Sequence, residues 1–95
     1  MVYITTSKME KIKRKEIEKI LKKIAKRKRW VFEERGNKSI SKICLRAFNL
    51  GEKEVWIVSK NRDKIYIRRI EITPYSFKWK NKKGKEIKID QWAKI

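Results

Sequence analysis

The residues best placed to do chemistry in this chain are cations interleaved with aromatics. The run KKIAKRKR (22–29) offers Lys22, Lys26, Arg27, Lys28 and Arg29. The run KWKNKKGKEIK (78–88) sets Lys78, Lys80, Lys82 and Lys83 around Trp79. Lysine and arginine neutralise phosphates and release counterions, which gives affinity for nucleic acid without sequence choice. A ring between lysines can stack on an unpaired base while the cations hold the backbone. Each run also has a plainer reading. The first suits a solvated helix end. In the second, Trp79 can cap a sheet edge whose lysines block edge pairing.

A third group is Thr5, Thr6 and Ser7, where a strand is expected to meet a helix. Their hydroxyls and backbone N–H groups can hold a phosphate at a helix N-terminus, or simply cap the helix. Catalytic chemistry is poorly supplied. There is no histidine, which removes the commonest general base and metal ligand. The single cysteine, Cys44, has no Cys or His partner and reads as packing. No glycine-rich phosphate loop is present. We therefore expect neither an enzyme nor a cofactor or metal.

The balance of charge points the same way as the basic runs. The chain has 95 residues, with 29 Lys+Arg against 11 Asp+Glu and a formal net charge of +18. Such an imbalance favours a polyanionic partner, nucleic acid first and an anionic membrane surface second. No stretch approaches the roughly 18 apolar residues of a membrane span, and the N-terminus lacks the apolar core of a signal peptide. A cytoplasmic protein without disulfides is the expectation. Abundant Lys, Ile and Glu suit a thermophile, although AT-rich coding gives the same composition.

These residues need elements to position them. VYITT (2–6) reads as a buried strand. Met9, Ile12, Ile17, Ile20, Leu21 and Ile24 recur at helical spacing. Lys13 and Glu16 fall on the apolar stripe, so the first turns should be less buried than the last. WVFEER (30–35) reads as a second strand, broken by Gly36 and Asn37. Ser39 is placed to cap a second helix whose inner face is Ile40, Ile43, Cys44, Ala47 and Phe48, with Gly51 as its left-handed stop.

EVWIVS (54–59) is a continuous apolar run, expected as a central strand covered on both faces. IYIRRIEI (65–72) follows a turn, with a phase slip at Arg68–Arg69 that suggests a bulge, and Pro74 ends it. YSFKWKN (75–81) and EIKIDQW (86–92) read as a hairpin turning at Gly84. Trp56, Trp30 and Trp92 read as core or rim rather than base platforms. The expected fold is α/β (α+β): one domain over 1–95, ordered β-α-β-α-β-β-β-β, with a mixed sheet and two helices. Right-handed crossovers join the first three, parallel strands, and the helices lie mainly on one face.

The ordered pieces TTSK, a basic helix with Ile17 and Leu21, RGNKSISKI, AFNLGEKEVWIVS, IYIRRIEI and TPYSFKWKN resemble the first half of a Brix domain, the module of ribosome-assembly proteins. The resemblance spans about residues 2–81. It implies an anticodon-binding-domain-like α/β half and binding to precursor or mature ribosomal RNA. By resemblance, Lys8, Lys13 and Lys15 take the basic positions after T-T-S, Arg35 and Gly36 the R-G pair, and Lys78 the basic residue of the Y-F-R strand. The chain departs from the family in three ways. The proline after T-T-S-R is absent, with Glu10 near its place. The turn at 61–64 lacks G-x-P. Only one half is present.

Ribosomal-RNA binding, in assembly or within the particle, is the leading expectation. The alternatives are a non-specific duplex-DNA-binding chromatin-type protein, and a subunit that pairs with itself or with another protein to replace the missing half, through a strand edge near 75–90.

Overall fold

The computed structural model describes residues 1–73, 75–76 and 78–94, with residues 93 and 94 described for their backbone alone. Strands β1 (Val2–Thr6), β2 (Val31–Phe32), β3 (Glu54–Asn61), β4 (Lys64–Ile72) and β5 (Trp79–Lys88) form one sheet in the order β2-β1-β3-β4-β5. Helix α1 (Lys11–Lys28) joins β1 to β2, and α2 (Ile40–Asn49) joins β2 to β3. A short 3-10 helix, Ile89–Lys94, follows β5. β1 runs parallel to β2 and β3, while β3–β4 and β4–β5 are antiparallel. The mixed α/β sheet with two helices follows the sequence expectation.

The local signals behave as their chemistry dictates. Ile17, Leu21, Ile24 and Ala25 of α1 are buried, whereas Ile12 in the first turn is 76% exposed, because Lys13 and Glu16 interrupt the stripe there. Burying each large apolar side chain stabilises by about 1.5–3 kcal/mol, so the last turns hold the helix to the sheet. The Ser39 side chain accepts from the Lys42 N–H at 3.2 Å. At the other end of α2, Gly51 sits at φ 76, with its N–H on the Phe48 carbonyl and the Glu52 N–H on the Ala47 carbonyl. That pair of bonds satisfies carbonyls the helix leaves open.

The two helices lie on opposite faces, not on one. α1 packs with Val2, Ile4, Trp56, Val58, Ile65 and Ile67. Ile43, Cys44 and Ala47 of α2 pack with Tyr3, Val55, Ile57, Ile70 and Ile72. The reason is the strand order. The step from β1 to β2 moves one way across the sheet, and the step from β2 to β3 returns over β1. Two right-handed crossovers in opposite directions put their helices on opposite faces.

This arrangement also explains the phase slip in β4. Ile65 and Ile67 face α1, while Ile70 and Ile72 face α2. β4 alternates without interruption against β3, so its isoleucines change parity because the covered face changes midway. A bulge does lie here, but its extra residue belongs to β5. Ile67 pairs with Lys85 and Arg69 with Lys82, leaving Lys83 and Gly84 opposite Arg68.

Three other expectations are corrected. The strand expected over 30–35 is two residues long, since after Phe32 the chain turns away to bury Arg35. The expected hairpin at Gly84 is one continuous ten-residue strand, so the sheet has five strands rather than six. A Cβ at Gly84 would lie 2.9 Å from the Ile67 carbonyl oxygen, so this glycine marks a close backbone approach, not a turn. EIKIDQW does not end as a strand. Its tail forms the 3-10 helix and delivers Trp92, 2% exposed, to the α1 side of the core. Pro74, expected to end β4, lies outside the described residues.

Candidate nucleic-acid interface

α1 is the most strongly charged element. Its eighteen residues hold ten cations and two acids, Glu16 and Glu18. Glu18 is buried and lies 3.3 Å from Arg14, and Glu16 lies 3.9 Å from Lys60. Lys13, Lys15, Lys22, Lys26, Arg27 and Lys28 are exposed, as are Lys8 before the helix and Arg29 after it. The helix is about 27 Å long at 1.5 Å per residue, so the clusters at its two ends stand far apart. Arg29 closes it in the left-handed conformation, φ 59. Trp30 then donates its backbone N–H to the Ala25 carbonyl at 2.9 Å, and the chain turns back toward the sheet.

The turn after α1 brings the two basic runs of the sequence together. Trp30 packs edge-on against Trp56, centroids 4.9 Å apart. The Lys28 ammonium lies 5.3 Å from the Trp30 ring centre, and the Lys85 ammonium 5.2 Å from that of Trp56. Cations over indole faces are held by the ring quadrupole. Lys28 at the C-terminal end of α1 and Lys85 of β5 are thereby joined through two tryptophans on one face of the sheet. Trp56, 7% exposed, and Trp92 are core, while Trp30 is half-buried.

β5 divides its candidate residues between the two faces of the sheet. Lys80 and Lys82 pair in register with Glu71 and Arg69, on the face of α1. Lys82 is partly neutralised: its ammonium lies 3.3 Å from Glu54, which also lies 3.2 Å from Arg69 and accepts the Trp56 indole N–H at 2.7 Å. Trp79 pairs with Ile72 on the opposite face and is 37% exposed. Lys78 and Lys83 are exposed.

Thr5, Thr6, Ser7 and Arg35 do not form a surface site. Thr5 and Thr6 are fully buried, and Thr5 Oγ1 donates to the Glu33 carbonyl at 2.7 Å. Ser7 is not the helix cap. Its N–H donates to the Val58 carbonyl, and α1 begins only after Glu10, whose side chain makes no capping bond. Arg35 is 5% exposed and donates to the carbonyls of Lys38 and Thr6. These residues pin the ends of β1 and β2, and the surface near them is left to Lys8. Cys44 is wholly buried, which pushes its thiol up to about 11 and leaves it unreactive.

Sequence reading does not single out Tyr66 or Lys85, and it marks Arg68 and Arg69 only as a phase slip, not as site residues. Their signal is present only as register, because each matters through a neighbour on another strand. Among the described residues no group of three His, Cys, Asp or Glu side chains is close enough to hold a metal ion. No helix among them is long and apolar enough to cross a membrane. No family model matches the chain, and no curated protein and no solved structure matches it.

Proposed function

We propose that the protein binds ribosomal RNA, as a factor of ribosome assembly or a component of the particle, and acts by docking rather than by catalysis. The observation that carries this reading is the joining of runs 22–29 and 78–88 through Trp30 and Trp56, in a chain of net charge +18. Cations from two elements backed by packed indoles suit the closely spaced phosphates of a folded RNA, read by shape. The Brix-like order of motifs supports the same class of partner.

The test is binding of ribosomal RNA at several salt concentrations, with duplex DNA as competitor. If six or so phosphates are neutralised, affinity falls about a thousandfold between roughly 50 and 200 mM salt. A flat salt profile, or equal competition by duplex DNA, would refute this reading. Co-sedimentation of the native protein with ribosomal particles is the corresponding cellular outcome.

A further inference from the structure

Helix α2 covers only part of its face of the sheet. Ile70 and Ile72 beneath it are buried, but Tyr66 and Arg68, on the same face of β4, are exposed. An open concavity of about 630 Å³ lies over this uncovered half, lined by Ser59, Tyr66, Arg68, Asn81, Gly84 and Glu86 among others. Its size falls within the ~300–1,000 Å³ of small-ligand sites.

We propose that this concavity seats one unpaired nucleotide of the bound RNA, its base stacked on Tyr66 and its edge read by Asn81. The proposal rests on the RNA-binding reading above and adds a preference for single-stranded over duplex segments.

Three features carry it. First, Gly84 of the β5 bulge lines the same concavity as Tyr66. Gly84 adds no side chain there, and any Cβ would meet the Ile67 carbonyl at 2.9 Å. Tyr66 is 37% exposed, enough to offer a ring face. Second, the charge is positive and uncompensated. Arg68 hydrogen-bonds the neutral Asn81 Oδ1 at 3.1 Å, and no carboxylate stands in ion-pair contact with it among the described residues. Glu86, the acid in the lining, is held by Lys64 at 2.9 Å. Asn81 uses its oxygen on Arg68, which leaves its amide N–H groups to donate to a base.

Third, β4 is paired on both sides, so a peptide lying over β4 gains no main-chain hydrogen bonds from it; the open backbone edge of this half of the sheet is that of β5. Recognition falls to a ring, a planar guanidinium and an amide. A base has the flat face and polar edge that match them, and its phosphate matches Arg68. A duplex keeps its base faces stacked inside and cannot use this seat.

The test compares a labelled oligoadenylate single strand with a blunt RNA duplex of equal length, at one ionic strength, on wild type, Tyr66→Ala, Tyr66→Phe and Asn81→Ala. Loss of one base–aromatic stack lowers single-strand affinity about tenfold or more in Tyr66→Ala. Duplex affinity should stay unchanged, and Tyr66→Phe should restore the single-strand value. In wild type, the Tyr66 ring protons should shift on titration with oligoadenylate, a readout that needs no variant. Unshifted Tyr66 signals at saturation, or equal single-strand binding by folded Tyr66→Ala, overturn the seat while leaving RNA binding intact. Competition by polyglutamate as strong as that by oligoadenylate overturns it in favour of an acidic peptide. If neither RNA binds at low salt, the seat and the broader reading fail together.

Discussion

The guanidinium of Arg35 donates to the backbone carbonyl of Thr6 across 3.1 Å, with only 5% of the residue exposed. A second bond, 2.8 Å to the Lys38 carbonyl, closes the loop that leads into α2. A buried charge held by carbonyls alone is costly to desolvate, and burial pushes the Arg35 pKa down accordingly. The arrangement persists because it ties the last residue of β1 to the start of the second crossover, 29 positions along the chain.

Replacing Arg35 with Met should therefore act on stability. Two carbonyls lose their donor, for a loss on the order of 2–4 kcal/mol by urea denaturation. Lysine should not rescue it, because a point charge cannot reproduce the guanidinium fork. RNA affinity of the folded fraction should stay at the wild-type value. A stable Arg35→Met protein that no longer binds RNA would show Arg35 to be a contact instead.

Gly84→Ala tests the bulge. The added methyl would lie 2.9 Å from the Ile67 carbonyl oxygen, which belongs to a paired backbone and cannot easily yield. A loss of about 1–3 kcal/mol is expected from such overpacking. Hydrogen exchange should locate the weakening at the β4–β5 pairing. Unchanged stability would mean that the strands shift register freely.

Glu33 makes stability depend on pH. Its carboxylate accepts from Arg46 at 2.8 Å and from the Tyr3 hydroxyl at 2.8 Å. The Arg46 hydrogen bond, with help from Tyr3, holds its pKa below the ordinary value of 4.5 despite partial burial. The stabilisation is therefore complete above about pH 4.5 and is lost as pH falls through the lower folded-state value. Urea midpoints measured down through this window should fall less steeply in Glu33→Gln than in wild type. Parallel acid limbs would show that Glu33 contributes nothing.

Charge reversal separates the two ends of α1. Changing Lys26, Arg27, Lys28 and Arg29 to Glu should weaken binding to any RNA and reduce the slope of log affinity against log salt. If the resemblance to a Brix half extends to function, changing Lys8, Lys13 and Lys15 to Glu should cost more on native ribosomal RNA than on unrelated RNA. Filter binding with both RNAs gives the comparison. Wild-type affinity of the second variant for ribosomal RNA would sink that assignment.

What the sequence by itself determined about this protein is what depends on near neighbours. The cap at Ser39, the stop at Gly51, the shallow start of α1 and the central place of β3 each follow from a few adjacent residues. A hydroxyl oxygen reaches a backbone N–H three positions on, and a helical stripe is either continuous or interrupted. Burial of Trp56 and Trp92 and the exposure of the α1 lysines were legible in the same way. The tertiary structure alone decided which partners meet across the sheet. The opposite placement of α1 and α2 follows from β1 lying between β2 and β3, an order no local pattern encodes. Gly84 looks like a turn residue until the Ile67 carbonyl is seen beside it. Thr5, Thr6 and Arg35 look like surface ligands until the crossover closes over them. Lys28 and Lys85 stand 57 positions apart in sequence. They share a surface because each rests on one ring of the Trp30–Trp56 pair, and that contact exists only once the sheet has formed.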